Sequence, residues 1–223
     1  MSESNLSAPK TPEEPLAPFY EAIGKASVRW QFVDASLFVI VHAILKTEYR
    51  KSSAVFFHIQ SPDSKLQLTD RLCQIHFDKD VISAEWDDFC KDLKEAIKFR
   101  NAIAHWEANF ISDRSLIDAS EPAVALTRHH LDIKSQADTR GLTTSTLNEV
   151  AHEYRALANR LLHFVLRHFS MKELRITHLP QGLLQYLENI QNSPPEPPPP
   201  LTPSPPLPSR QGRRRSVRQQ RKR

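Results

Sequence analysis

The sequence predicts an all-α protein, mostly an up-and-down bundle of the four-helix type, with a small β-hairpin insertion and a disordered C-terminal tail. Three observations predict this fold class. The 223 residues include only four glycines, 39% are hydrophobic and 25% are charged, which favours helices around one core over a turn-rich β fold. Apolar residues recur at helical spacing over long segments, and proline and arginine dominate the C-terminal end. One folded domain is therefore expected.

The first long segment predicts a helix of about seven turns. Its apolar residues are spaced alternately four and three apart, the period that places them on one helix face: Phe19, Ile23, Ala26, Trp30, Val33, Leu37, Ile40 and Ile44. This stripe is the strongest secondary-structure signal in the sequence.

Two further helical regions follow. Residues 51–77 predict either one broken helix or two short ones, with Asp63 or Ser64 as a candidate cap. The segment from Ser83 to Trp106 predicts a third long helix, and the acidic residues between 85 and 88 are expected in its first turn, where the helix dipole favours negative charge. Its apolar face consists of Trp86, Phe89, Leu93, Ala96, Ile97 and Ile103.

Residues 107–142 change character. Short apolar pieces such as 123–127 lack a helical period, which predicts irregular chain or a small β-hairpin. Thr146 followed by Glu149 predicts a capping box that opens a last long helix. The stripe of that helix is Leu147, Val150, Tyr154, Leu157, Leu161, Phe164 and His168. Long helices with one broken neighbour predict an up-and-down bundle.

Composition divides the chain into three parts. Residues 1–16 are predicted to be a disordered leader, 17–192 the helical domain, and 193–223 a disordered tail. Ten prolines lie between Pro194 and Pro208, and the tail carries a net charge of +7, so the other residues carry −3 of the total of +4. A segment so rich in proline cannot bury enough apolar surface to fold.

Cysteine usage and hydropathy predict the compartment. Cys73 and Cys90 lie in predicted helices without the spacing of a zinc site, so buried, reduced thiols are expected. The leader lacks the apolar stretch of a secretory signal, and the most apolar run, 38–41 with its neighbours, is expected to be too short for a membrane span. A cytoplasmic protein without membrane contact, metal or cofactor is predicted.

The hexapeptide at the end of the third long helix, residues 100–105, carries the candidate chemistry. At 3.6 residues per turn, Asn101 and His105 lie within about 40° of each other around the helix, whereas Arg100 and His105 lie about 140° apart. Arg100 can reach the same volume through its long side chain, or if the helix loosens at Trp106. A guanidinium binds phosphate bidentately and offsets charge at phosphorus, and an imidazole transfers protons near neutral pH. These groups predict a phosphodiester site.

The hexapeptide resembles the signature of the HEPN superfamily, in which an arginine, often followed by a polar residue, precedes a histidine by a short interval. Arg100, Asn101 and His105 match those positions, and the resemblance covers roughly residues 19–169. It implies a helical bundle, a homodimer with both motifs lining one cleft, and metal-independent cleavage of RNA through attack by the 2′-hydroxyl. Arg100 would hold the scissile phosphate, His105 would act as general base or acid, and Asn101 would orient either group.

Two supporting residues have alternatives. Asp34, four residues after Trp30, can orient Arg100 or His105, or can be a solvated or ion-paired acid. Trp106 can stack on an RNA base, although packing at the helix end is the simpler expectation. In a purely structural role for the motif, Arg100 would pair with an acid such as Asp34 and His105 would cap carbonyl groups.

Three function classes remain open from the sequence. The first is a dimeric HEPN-type endoribonuclease, as a toxin or phage-defence component, with RNA, a second copy and an antitoxin or other protein as partners. The second is a catalytically silent HEPN-like binding module. The third is a helical adaptor that acts through its proline-rich, basic tail.

Overall fold

The computed structural model describes residues 16–77, 79–110, 124–127 and 141–170, together with positions 174 and 185. Five helices and a two-stranded antiparallel sheet make up this part of the chain: α1 Ala17–Leu45, α2 Tyr49–His58, α3 Pro62–His76, α4 Lys79–His105, β1 Glu107–Phe110, β2 Val124–Thr127 and α5 Thr144–His168. The prediction of a mostly helical fold with a small hairpin is confirmed.

Helix α1 forms the centre of the fold. Its first turn contains Pro18, whose missing N–H costs nothing at that position. It ends at Lys46, which adopts a left-handed conformation with φ of 50° and donates its N–H to the carbonyl of His42. Most of the predicted apolar stripe is buried, and the most extensive contact between elements joins α1 to α5.

The broken second helix is two short helices. Helix α2 ends at His58, and α3 begins at Pro62 after the N-cap Ser61, whose hydroxyl accepts a hydrogen bond from the N–H of Ser64. The cap is thus Ser61 rather than Asp63 or Ser64, because Pro62 suits the first helical position and fixes the start there.

Two predicted helix starts are wrong by about one turn. Helix α4 begins at Lys79, not Ser83, so Glu85, Asp87 and Asp88 do not lie in its first turn and gain little from the dipole there. Helix α5 begins at Thr144, and its N-cap is Thr143, whose hydroxyl accepts from the N–H of Thr146; Thr146 lies inside the helix and forms no capping box with Glu149.

The hairpin packs beside the end of α4. Strand β1 pairs antiparallel with β2, with Phe110 opposite Val124. All four residues of β1 are exposed, whereas Val124, Ala125 and Leu126 of β2 are buried. Leu126 also bridges to Leu142 through two backbone hydrogen bonds of 3.0 and 2.9 Å, which ties the hairpin to the segment before α5.

The apolar interior has two parts. The larger cluster joins all five helices and contains both predicted core tryptophans, Trp30 and Trp86. The smaller cluster lies where the start of α1 meets the hairpin and the start of α5: Phe19, Ala22, Ala102, Val124, Leu126, Leu142 and Leu147. The two clusters hold the C-terminal end of α4, and so the hexapeptide, between α1 and the hairpin.

Helix α1 corrects one expectation about membranes. By length and composition it is apolar enough to cross a bilayer, with a mean hydropathy of 1.5 over its most apolar window. The expectation concerned the run 38–41 with its neighbours, whereas the helix that passes this test is Ala17–Leu45 as a whole. Half of that window is buried inside the fold, and the core helix of a globular protein passes the same test.

Several predicted features lie outside the described residues. They are the leader up to residue 15, the tail from 193, and most of the insertion between 107 and 142. Backbone contacts divide the chain into Met1–Asn192 and Ser193–Arg223, and every described residue belongs to the first unit.

Candidate functional site

A groove of about 380 Å³ opens between the first half of α1, the α2–α3 connection and the C-terminal part of α4. Residues of all five helices line it, and its charged groups are Asp34 from α1, Lys65 from α3 and Arg100 from α4. The groove therefore contains two cations and one carboxylate, in a volume at the lower end of the range of about 300–1,000 Å³ typical of ligand sites.

Arg100 connects the hexapeptide to this groove. It lines the groove with Ile103 and Ala104, which lie on the same face of α4, and it is half-buried. Its Nη1 donates a hydrogen bond of 3.1 Å to Oδ1 of Asn101. Within the described part of the chain no carboxylate pairs with Arg100, so its positive charge meets only a neutral amide.

Asn101 and His105 lie on the adjacent face of α4. Asn101 is half-buried, whereas His105 is exposed in the last residue of the helix. The N–H of Trp106 still donates to the carbonyl of Ala102, at 2.8 Å, so the helical bonding pattern continues through the hexapeptide without loosening. The contact between Arg100 and Asn101 joins the two faces, but neither Asn101 nor His105 lines the groove.

The surroundings of His105 leave its ring accessible. Among the described residues none forms a hydrogen bond or ion pair with its side chain, and the capping of carbonyl groups expected in a purely structural role is not seen there. An imidazole in this position can exchange a proton with a bound molecule or with water.

Asp34 has a different partner from the ones expected from the sequence. Its Oδ2 lies 2.6 Å from Nζ of Lys65, and the two side chains are 19% and 11% exposed. Asp34 shares the groove with Arg100, but its ion pair is with Lys65 and not with Arg100 or His105. Asp34 pairs with Lys65 because α3 packs against α1 and brings the Lys65 ammonium next to the Asp34 carboxylate.

Lys65 is the functional candidate that sequence analysis missed. Its ammonium lies 4.8 Å from the ring centre of Phe56 and 5.1 Å from that of Phe57, in addition to its pair with Asp34. The sequence did contain a signal, since Lys65 precedes Thr69 and Cys73 at intervals of four, and both are buried. A lysine on the buried face of a helix requires a compensating acid.

Two aromatic residues form the floor of the groove. The rings of Trp30 and Tyr154 meet edge to face at 5.4 Å, and the Tyr154 hydroxyl donates to the carbonyl of Ala96 at 3.0 Å. Burial, and to a smaller extent the nearby Glu153, raises the pKa of Tyr154 above its ordinary value. The phenol therefore remains protonated at neutral pH and acts as a fixed donor rather than as an acid or base.

Trp106 packs against the protein. It is half-buried and packs against the smaller apolar cluster. This position agrees with packing at the helix end and leaves only part of the indole surface for contact with a base.

The described residues contain no group of three histidine, cysteine, aspartate or glutamate side chains arranged to hold a metal ion. Both cysteines are free thiols, Cys73 buried and Cys90 half-buried. Burial and the neighbouring Asp70 raise the pKa of Cys90 to about 12, and burial with Cys90 raises that of Cys73 as well. Neither thiol is suited to act as a nucleophile, because the reactive thiolate is disfavoured.

The fold and site together define a helical-bundle protein with a cationic groove at the end of its fourth helix. Comparison with family models, with curated proteins and with solved structures gives no match for this chain. The resemblance to the HEPN superfamily therefore depends on Arg100, Asn101 and His105 alone.

Proposed function

We propose that this protein is a metal-independent, HEPN-type endoribonuclease that cleaves RNA at the end of α4, and that it works as a cytoplasmic homodimer with an antitoxin or another protein as a further partner. The observation that carries the proposal concerns two residues five positions apart on one helix. Arg100 pairs with no carboxylate among the described residues, and His105 is exposed.

The proposed chemistry uses three groups. The Arg100 guanidinium binds the scissile phosphate and offsets the charge that develops on its oxygens. Asn101 accepts a hydrogen bond from Arg100 and so limits the rotamers of that side chain. His105 takes the proton of the 2′-hydroxyl as it attacks phosphorus, and an acid returns a proton to the leaving 5′-oxygen, which gives a 2′,3′-cyclic phosphate and a 5′-hydroxyl.

Dimerisation supports the same chemistry. Because His105 and Arg100 lie on adjacent faces of α4, one chain offers a phosphate-binding group in the groove and a proton-transfer group outside it. A second copy facing the first would bring its own His105 toward the bound strand, and would supply both the base and the acid that the reaction requires.

The test is cleavage of single-stranded RNA by the purified chain in the presence of EDTA. Cleavage is expected in the wild-type protein and is expected to fall by at least about a hundredfold in Arg100→Ala and in His105→Ala, the size expected for loss of a general base or an oxyanion donor. Arg155→Ala and His152→Ala are matched controls, since both residues are exposed on α5 and outside the groove. Cleavage that persists undiminished in Arg100→Ala and His105→Ala would contradict the proposed roles of these two residues.

A second candidate function is a catalytically silent HEPN-like binding module. The separation of His105 from the groove that contains Arg100 favours it, because binding requires the groove but not the imidazole. In that case Arg100→Ala would weaken RNA or protein binding, His105→Ala would leave it unchanged, and no variant would cleave.

A further inference from the structure

The net charge of the groove is one positive unit. Lys65 and Asp34 neutralise each other at 2.6 Å, and Arg100 remains without a carboxylate among the described residues. An internal phosphodiester carries one negative charge, whereas a terminal phosphate carries about 1.5 to 2 near neutral pH. The groove therefore matches a phosphate within a strand better than the phosphate of a free nucleotide.

The walls of the groove suit a nucleobase. Phe57, a residue that is 43% exposed, lines it, and Ile59 and Pro62 extend the apolar surface beside it. An exposed aromatic ring next to a cationic site is the usual platform on which an unpaired base stacks. A base in a duplex is already stacked on its neighbours and cannot enter a groove of this kind.

Two carboxamides at the rim can read the edge of such a base. Gln31 and Gln60 are exposed and line the groove from α1 and from the α2–α3 connection. Gln31 forms no hydrogen bond with a described residue, and Gln60 uses only its Nε2, in two contacts of 3.4 Å to the carbonyls of Phe57 and His58. Each amide thus offers an acceptor oxygen, and Gln31 offers two donor hydrogens as well.

We propose that this groove is the subsite for one unpaired RNA nucleotide next to the cleaved bond, and that Gln31 and Gln60 select its base. The subsite rests on the proposed function, because Arg100 belongs both to the groove and to the hexapeptide. Lys65 is a positioning residue. Its ion pair with Asp34 neutralises that carboxylate, so the groove does not carry a buried negative charge.

The experiment measures the affinity of His105→Ala for fluorescein-labelled homopolymeric hexanucleotides of A, C, G and U by fluorescence anisotropy. This variant is used so that binding is measured without cleavage. One base is expected to bind at least about fivefold more tightly than the weakest, and the added changes Gln31→Ala and Gln60→Ala are expected to reduce that preference to about twofold, as for loss of one or two hydrogen bonds. Gln67→Ala, an exposed glutamine of α3 outside the groove, is the matched control and should leave the preference unchanged.

Three results would overturn the subsite: equal affinity for all four hexanucleotides, a preference that survives loss of both carboxamides, or duplex RNA bound as tightly as single strands. A mononucleotide that binds as tightly as a hexanucleotide would overturn the match to an internal phosphodiester. Base-selective binding with no cleavage in the wild-type protein would refute the nuclease and leave the groove as a base-selective binding site for single-stranded RNA. Cleavage that does not depend on Gln31 and Gln60 would refute the base-selecting subsite and retain the nuclease.

Discussion

Asp34 and Lys65 illustrate how single residues set the character of the groove. Their side chains are mostly buried, so removing one charge leaves the other in a poorly solvated position. The pair also cancels the charge of Lys65, and this leaves Arg100 as the group that attracts an anion.

Substitution of one partner of this pair should be costly. Asp34→Ala is expected to lower the free energy of unfolding by about 2–3 kcal/mol, because an unpaired ammonium would remain beside Phe56. The double variant Asp34→Asn with Lys65→Met removes both charges and is expected to lose less than Asp34→Ala alone. Urea unfolding of the three proteins provides the measurement, and a loss below about 0.5 kcal/mol for Asp34→Ala, the size of an exposed pair, would contradict the buried pair.

The two thiols give a prediction about pH. Cys90 has a pKa of about 12 in the fold against an ordinary value of 9.0, and that of Cys73 is raised as well, so both remain protonated at pH 8. Alkylation by iodoacetamide at pH 8 is expected to be much slower in the native protein than in urea. The unfolded chain releases these thiol protons near pH 9, whereas the folded chain keeps them. The free energy of unfolding should therefore fall as the pH rises above 9. Equal native and unfolded alkylation rates would show that the thiols are accessible.

The sequence predicted some site residues and could not predict others. The contact between Arg100 and Asn101 follows from their adjacency on one helix, and the exposure of His105 follows from its place at the helix end. The pair of Asp34 with Lys65 joins residues that are 31 positions apart, and no local period specifies which acid meets which lysine across two helices.

At the scale of elements, apolar periodicity was the dependable signal. It located α1, the broken pair α2 and α3, α4 and α5. The starts of α4 and α5 were predicted about one turn too late, because periodicity does not show which polar residue caps the helix. The hydroxyl of Ser83 suits a helix N-cap, yet the helix extends one turn upstream and begins at Lys79. Several hydroxyl residues in 143–146 can each cap a helix, and Thr143 is the one that does.

Two glycines give opposite predictions for the same substitution. In Gly141→Ala the new Cβ would lie 2.6 Å from Cβ of Ala125 and 2.9 Å from the carbonyl oxygen of Leu126, so the backbone of the hairpin must shift. A loss of about 1–3 kcal/mol in the free energy of unfolding is expected. Gly24 lies within α1 with no atom within 4 Å of such a Cβ, and Gly24→Ala should instead stabilise by about 0.5–1 kcal/mol.

Thermal unfolding of the two alanine variants beside the wild type tests this contrast. The melting temperature should fall for Gly141→Ala and rise for Gly24→Ala. An increase for Gly141→Ala would mean that β2 does not approach position 141 as closely as described. A decrease for Gly24→Ala would mean that another surface contacts α1 there.

At the scale of the whole molecule, charge is divided unevenly. The segment 193–223 has a net charge of +7, whereas the remainder has a net charge of −3 out of the total of +4. The groove has one net positive charge, from Arg100, and the remainder of residues 1–192 is negatively charged. Long-range attraction of RNA to such a site would be weak, and the basic segment 193–223 would compensate for this.

Removal of residues 193–223 distinguishes the nuclease hypothesis from the adaptor hypothesis. The shortened chain is expected to keep its melting temperature, because the lost residues are too poor in apolar side chains to contribute to a core. Its affinity for single-stranded RNA should fall at low salt, and the dependence of affinity on salt should become less steep. Cleavage at saturating RNA should remain. Loss of all RNA and protein binding on truncation would favour the adaptor.

The most direct measurement is analysis of the RNA ends produced by the purified chain in EDTA. The wild-type protein and His152→Ala are expected to produce 2′,3′-cyclic phosphate and 5′-hydroxyl ends, and Arg100→Ala and His105→Ala are expected to leave the RNA intact. A single 2′-deoxy substitution at the cleaved position should block that cut, since it removes the attacking hydroxyl. RNA that stays intact with the wild-type protein, or identical ends from wild type and His105→Ala, would contradict a nuclease built on Arg100 and His105.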